Sequence, residues 1–139
     1  MKVIALRGDE NSGKSHTINA LYAFLIRDGY KQVQGHFEIQ GNPKYQDVFD
    51  ILTKDGILVG IVGMGDFERT PHSIDNLINN LEDKGCDVVL CACRNKSGIL
   101  NKVIRKYPSV IWVDKEKSTV ESQNRIVNVS DANRMIQKM

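Results

Sequence analysis

Short, almost wholly apolar runs alternate with helical patterns along this chain of 139 residues. The runs lie at residues 2–7, 57–64, 87–93 and 109–113. Strands with apolar side chains on both faces are typical of parallel sheets that helices cover on each side. Between the runs, apolar residues recur with the spacing of amphipathic helices. The alternation therefore predicts an α/β fold, a three-layer α/β/α sandwich whose sheet is mostly parallel.

Four helices are expected in the intervals. The first begins at Lys14, and the second has Thr70 as its cap and Pro71 in its first turn. The third spans residues 97–106, and the last begins after Ser130, which acts as its cap. Helices and strands thus follow one another in the order that parallel strand connections require.

Asp55-Gly56 separates two strand-like runs in the middle of the chain. An Asp-Gly dipeptide in this setting is the strongest short signal for a two-residue hairpin turn. The hairpin places one strand antiparallel to its neighbours. Two further strands are predicted, at residues 33–39, where apolar residues alternate with others, and at residues 125–129.

Length and composition agree with a single domain over residues 1–139. The length is close to the commonest domain size, and 41% hydrophobic with 26% charged residues is ordinary for a globular chain. The net charge of +2 is too small to indicate nucleic acid as a partner. The apolar run before Arg7 is only four residues long, so we expect neither a signal peptide nor a membrane span.

Cys86, Cys91 and Cys93 are the three cysteines of the chain. Their odd number and their position in and before an apolar run predict reduced, buried thiols of a cytoplasmic protein. Cys91 and Cys93 would share one face of a strand. A metal pair is the alternative, but no third and fourth ligand lies nearby in the sequence.

One loop carries a pattern with specific chemistry. Residues 8–15, GDENSGKS, lie between the first predicted strand and the first predicted helix. Glycines allow several backbone N–H groups to point at one anion, and the following helix adds its unpaired N–H groups. A chance match in an ordinary turn is the alternative, which the flanking elements disfavour. The candidate phosphate-binding residues are Gly8, Asp9, Glu10, Asn11, Ser12, Gly13, Lys14, Ser15 and His16.

The spacing Gly8-x-x-x-x-Gly13-Lys14-Ser15 is the complete Walker A pattern, and here the chain resembles the P-loop NTPases. The resemblance implies that Lys14 contacts the β- and γ-phosphates and that the Ser15 hydroxyl binds Mg²⁺. It implies ATP or GTP, with Mg²⁺, as the bound cofactors. It covers about the first half of the chain, through two short motifs.

The second motif is an acidic residue at the end of a buried strand beside the loop. Asp66 follows the apolar run 57–64 and is the candidate for holding Mg²⁺ through water, with Gly63 and Gly65 allowing the backbone to approach the phosphates. A turn residue or helix cap is the alternative for Asp66. Glu68 is a candidate for orienting the attacking water, or else a solvated loop charge.

Arg94 directly follows the buried run 87–93, at the edge where ligands bind in open α/β sheets. It is a candidate catalytic residue that stabilises charge on the γ-phosphate. Pairing with a carboxylate at a helix cap is the alternative. Arg69 is the other candidate on that edge.

The hairpin layout is similar to that of the small GTPases, but their guanine-recognition signature Asn-Lys-x-Asp is missing. Its absence favours ATP over GTP. If the sheet is wound as in these relatives, the base lies beside residues 114–118, where the stems of Lys115 and Lys117 would cover it. Asp114 is the residue that would read guanine outside the expected motif.

Three classes of function remain. The first is a Mg²⁺-dependent NTP hydrolase or switch that works with a protein partner. The second is a small-molecule or nucleotide kinase, whose acceptor pocket would involve residues 33–45 and 66–72. The third is a module that holds nucleotide without turnover. The complete Walker A pattern with Asp66 disfavours the third class, and the lack of an arginine-rich lid segment disfavours the second.

Overall fold

A seven-stranded sheet forms the centre of the computed structural model, which describes residues 1–41, 44, 46–67 and 71–139. The strands are β1 (Lys2–Gly8), β2 (Lys31–Gln32), β3 (Glu38–Gln40), β4 (Asp47–Lys54), β5 (Ile57–Val62), β6 (Val88–Arg94) and β7 (Ile111–Asp114). The helices are α1 (Lys14–Arg27), α2 (Ile74–Asp83), α3 (Ser97–Lys106) and α4 (Asn124–Gln137).

The strand order is β2-β4-β5-β6-β1-β7, with β3 also pairing with β4. The strands β5, β6, β1 and β7 pair in parallel, whereas β4 is antiparallel to β5, β2 and β3. Only β4 therefore runs against the others in the described sheet. The predicted α/β class, with a mostly parallel sheet and one reversed hairpin strand, is confirmed.

The reversal occurs at the predicted turn. Asp55 and Gly56 both have positive φ, at 53° and 80°. Positive φ at both central residues is the geometry that matches the twist of the flanking strands. The Asp-Gly signal therefore located the turn correctly.

The sheet buries both of its faces. Alternate residues of β1 point to opposite sides, so that Ile4 and Leu6 pack with α1 and α4, while Val3 and Ala5 pack with α2 and α3. Complete burial of a leucine or isoleucine side chain contributes about 1.5–3 kcal/mol. Two helices on each face thus hold the central strands in place.

The predicted strand at residues 125–129 and the Ser130 cap are wrong, because both lie within α4. The side chains that α4 buries are Asp131, Ala132 and Met135. These residues have helical spacing, but the carboxylate of Asp131 interrupts the apolar stripe. The local run Ile-Val-Asn-Val also favours a strand. Packing against α1 overrides that local preference.

The predicted strand at residues 33–39 is also wrong over most of its length, because only Glu38–Gln40 pairs there. Gly35 has φ 91°, a left-handed conformation that no strand continues through. The second helix begins at Ile74 with Ser73 as its N-cap, later than predicted. The proposed cap Thr70 lies outside the described residues.

Within the described residues, no helix combines the length and the apolar character that a membrane span requires. The ends of five strands meet at one edge of the sheet. The carboxyl ends of β1, β5, β6 and β7 lie there, and the amino end of β4 joins them because β4 is antiparallel. Ligands of open α/β sheets bind at this edge.

Candidate phosphate-binding site

The loop of residues 8–15, here called the phosphate loop, joins β1 directly to α1. Gly13 is the N-cap of α1 and has φ 96° and ψ 17°. A Cβ atom there would lie 2.8 Å from Oδ1 of the Asn128 side chain, which could shift, so it is the left-handed conformation that favours glycine. The first N–H groups of α1 have no partner within the helix, and they open onto the loop.

The other glycine of the motif, Gly8, is required by packing alone. A Cβ atom at this position would lie 2.7 Å from Cβ of Lys115 and 2.8 Å from Oγ of Ser12. The Ser12 hydroxyl oxygen is buried and has no hydrogen-bond partner within the described residues. The loop thus encloses a polar group that an incoming anion can satisfy.

Lys14 is only 7% exposed, and its ammonium group donates a hydrogen bond to the carbonyl oxygen of Asp9 at 2.7 Å. Burial lowers the pKa of Lys14, and the negative charge of Asp66 offsets part of that effect. The side chain is therefore folded across the loop, with its charge held inside it. An ammonium has three donors, so two remain for ligand oxygens.

Ser15 donates a hydrogen bond to Oδ1 of Asp47 at 2.5 Å. Asp47 is the first residue of β4 and is 5% exposed. Burial raises the pKa of Asp47 despite the hydrogen bond from Ser15, and the charge of Asp66 raises it further. Sequence reasoning missed Asp47, because the known motif places the acidic residue at the end of a parallel strand and not at the start of a reversed one.

Asp66 is exposed and lines one cavity of about 250 Å³ together with Lys14, Ser15 and Asp47. The structure therefore brings together the residues predicted for phosphate and metal. In the sheet, β6 lies between β1 and β5, so the strand that leads to Asp66 is not paired with the loop strand. The ends of both strands still meet at the same edge.

The two glycines before Asp66 have different surroundings. Gly63 lines the cavity, and its N–H donates to the carbonyl of Val48 at 2.7 Å. A Cβ atom at Gly65 would lie 1.8 Å from the carbonyl oxygen of Ala92. Close packing against β6 therefore requires glycine at position 65, which differs from the predicted role beside the phosphates.

Arg94 ends β6 and is paired with a carboxylate of the loop itself. Its guanidinium lies 2.9 Å from Oε2 of Glu10, and Asn95 donates to Oδ1 of Asp9 at 3.2 Å. The charge of Arg94 is close enough to act on the pKa of Lys14. Arg94 is therefore at the predicted edge but engaged in an ion pair. Glu68 and Arg69, the other two candidates, lie outside the described residues.

A second, larger opening of about 870 Å³ adjoins the phosphate loop, and we call it the α4 groove. Gly13 and the exposed His16 line one side of it, and Asn124 and Ile126 of α4 line the other. Lys117 also lines this groove.

The prediction for Lys115 is wrong, because this side chain is 1% exposed and forms a 2.8 Å ion pair with Asp131. Its stem packs beside Gly8 and is not available to a ligand. Asp114 is exposed and pairs with Arg7 at 2.8 Å. Lys117 is thus the remaining lysine of this segment that reaches the groove.

Cys86, Cys91 and Cys93 are free and buried, as predicted. Within the described part of the chain, no three His, Cys, Asp or Glu side chains are grouped to hold a metal ion. The cavity beside the phosphate loop offers a different donor set: the Ser15 hydroxyl and the Asp66 carboxylate, with the Asp47 carboxylate hydrogen-bonded to Ser15. Hard oxygen donors of this kind, few in number, fit Mg²⁺, which keeps several of its waters.

Comparisons of this chain with protein-family models, curated proteins and solved structures find no match. Its function is therefore inferred from the geometry of the site.

Proposed function

We propose that this protein binds a nucleoside triphosphate with Mg²⁺ on the phosphate loop and hydrolyses its terminal phosphate, as a P-loop NTPase. One observation carries the proposal: a buried lysine, a serine hydroxyl and two carboxylates share one cavity at the junction of β1 and α1. Each of these groups has a task in phosphoryl transfer, which depends on positioning and on neutralising charge.

Lys14 and the first turn of α1 bind the phosphates. The Lys14 ammonium is already fixed by its bond to Asp9, so little side-chain freedom is lost when a ligand binds. The N–H groups at the start of α1 point at the same cavity and favour a negative charge. A triphosphate is the anion that uses both features at once.

Ser15 and Asp66 would hold the Mg²⁺ ion, with Asp47 hydrogen-bonded to Ser15. When bound, the ion neutralises charge on the phosphate oxygens. The two carboxylates also account for the need for a cation, because without one they would repel a polyphosphate in the same small cavity.

The finer description of the fold belongs to the same proposal. A strand, a glycine loop and a helix in direct succession, within a sheet that has two helices on each face, support a P-loop NTPase fold. The α4 groove would take the base and ribose, and the missing Asn-Lys-x-Asp signature favours ATP. Free buried thiols fit a reducing compartment such as the cytoplasm, where a protein partner would use the nucleotide switch.

The test is incubation of the protein with labelled ATP or GTP, with and without Mg²⁺. We expect phosphate release that requires Mg²⁺ and that is lost in Lys14→Ala. Transfer of the label to an added acceptor, without release, would instead support the kinase class. Absence of triphosphate binding under all of these conditions would overturn the proposal.

A further inference from the structure

We propose that Asp47 is a positioning residue that acts through Ser15: it accepts the hydrogen bond that the Ser15 hydroxyl donates and so directs the oxygen lone pairs at the bound cation. The inference rests on the proposed function, since it concerns the same site. It gives the start of an antiparallel strand a task distinct from that of Asp66, the candidate for holding Mg²⁺ through water.

The hydrogen bond itself is the first observation. A serine hydroxyl has one proton and two lone pairs. The Ser15 hydroxyl donates its hydrogen bond to Oδ1 of Asp47 at 2.5 Å, so both lone pairs are left for a ligand. A charged acceptor makes this bond stronger than one between neutral groups. Mutation of a group that orients a metal ligand typically costs about 10–100-fold in metal affinity or activity.

Asp47 is held rigidly enough to perform this task. It pairs with Gln40 of β3, and the next residue, Val48, accepts a hydrogen bond from the N–H of Gly63 at 2.7 Å. Neighbouring strands therefore fix the backbone of Asp47 from both sides. A residue placed on a strand positions its partner more precisely than one on a loop.

Helix α1 makes two hydrogen bonds to the segment at the start of β4. Ser15 binds Asp47, and Asn19, one turn later, donates to the carbonyl oxygen of Gln46 at 3.2 Å. Gln46 has φ 48°, a left-handed conformation that is uncommon for a residue other than glycine. The entry into β4 is thus shaped to bring Asp47 against the first turn of α1.

Asp66 has a different position in the cavity. It lies after the end of β5 and is exposed, whereas Asp47 is almost completely buried. Two carboxylates in one cavity therefore have separate tasks: Asp47 orients the serine, and Asp66 faces the cation and its waters. This division predicts that the effect of an Asp47 substitution on cation binding depends on the presence of Ser15, whereas the effect of an Asp66 substitution does not.

The experiment measures the gain in triphosphate affinity on adding Mg²⁺, as the ratio of the ATP dissociation constant in EDTA to that in Mg²⁺. The variants are Asp47→Ala, Ser15→Ala and the double variant, each checked for native circular dichroism. We expect Asp47→Ala to reduce the ratio by about tenfold or more, which is typical for groups that orient a metal ligand. In the Ser15→Ala background, Asp47→Ala should not reduce the ratio any further.

Asp47→Asn is a second variant that keeps the size of the side chain, and it should reduce the ratio in the same direction but less. Asp50→Asn is the matched control, because Asp50 is a fully buried carboxylate of the same strand that bonds Tyr22 at 2.8 Å instead. Its ratio should equal that of the wild type.

The outcomes separate this inference from the proposed function. If wild-type protein binds ATP with a Mg²⁺-dependent gain and Asp47→Ala keeps that gain, the role of Asp47 is wrong while the proposed function stands. If Asp47→Ala reduces the ratio equally with and without Ser15, the role of Asp47 is also wrong, because Asp47 would then act independently of Ser15. If wild-type protein binds no triphosphate, the proposed function itself fails.

Discussion

Lys14 is the residue on which the proposed phosphate binding would depend most directly. It is nearly buried, its ammonium bonds the Asp9 carbonyl, and two of its donors remain for a ligand. Few environments hold a lysine in this way, because burial disfavours its charged form. An anion beside the ammonium would compensate for that penalty.

Replacing Lys14 by alanine should weaken triphosphate binding at least tenfold, equal to about 1.4 kcal/mol, and leave the circular dichroism spectrum unchanged. Isothermal titration calorimetry provides the affinity. Lys54→Ala is the matched control, since Lys54 pairs with Asp28 at 3.4 Å, away from the loop. Equal affinities of Lys14→Ala and wild type would exclude the phosphate loop as the binding site.

Asp66 should act through the metal and not through the phosphates. Asp66→Asn is therefore expected to slow Mg²⁺-dependent turnover by about tenfold or more, with a much smaller effect on binding in EDTA. The measurement is turnover against Mg²⁺ concentration. Asp55→Asn, in the hairpin turn with φ 53°, is the control, because asparagine accepts this conformation. Overlapping curves for Asp66→Asn and wild type would show that another carboxylate has this role, and Glu68 would be tested next.

At the scale of elements, α4 and the segment after β7 form one unit around a buried ion pair. Asp131 is fully buried and accepts hydrogen bonds from Lys115 at 2.8 Å, from the N–H of Glu116 at 3.0 Å and from Arg134 at 2.5 Å. This network fixes α4 to the segment after β7, which borders the α4 groove through Lys117.

Asp131→Asn should lower the free energy of unfolding by about 3 kcal/mol, because it leaves the buried Lys115 without its counter-charge. Urea denaturation gives the value. The control is Glu116→Gln, whose exposed carboxylate lies 3.9 Å from Arg134 and whose loss should cost less than about 1 kcal/mol. A stability of Asp131→Asn equal to that of the control would contradict the proposed importance of the network.

The same helix shows where sequence patterns are informative and where they are not. The helices α1 and α3 were predicted correctly because their inward positions are mostly apolar. In α4, the inward-facing Asp131 interrupts the apolar stripe, so the sequence pattern does not indicate a helix there. Asp47 was overlooked for a related reason: its function depends on a contact between β4 and α1, 32 residues apart, which no local pattern records.

At the scale of the whole molecule, the sheet edge places two sites side by side: the cavity at the phosphate loop and the α4 groove. Two polar side chains of the groove already have partners: Asn124 accepts a hydrogen bond from the N–H of Ser118 at 2.8 Å, and Asn128 accepts one from the Thr17 hydroxyl at 3.4 Å. Apolar surface, such as the 70% exposed Ile126, is available in the groove for contacts with a base.

We therefore predict weak discrimination between bases. Strong rejection of the wrong base requires polar groups that it would leave unpaired. ATP should bind at least as tightly as GTP, and the difference should stay below about a hundredfold, or 2.7 kcal/mol. Competition of both nucleotides against one fluorescent triphosphate measures the ratio. A preference for GTP beyond that bound would indicate a guanine-reading carboxylate, and Asp114→Ala would be the first variant to test.

The central claim is that a triphosphate with Mg²⁺ binds at the start of α1. Backbone amide chemical shifts of the ¹⁵N-labelled protein, followed while Mg²⁺ and ATP are added, test it most directly. The account predicts that the largest shifts belong to residues 12–16, because their N–H groups would donate to the phosphates. Unchanged loop amides at saturating nucleotide, or largest shifts on the opposite edge of the sheet, would contradict it.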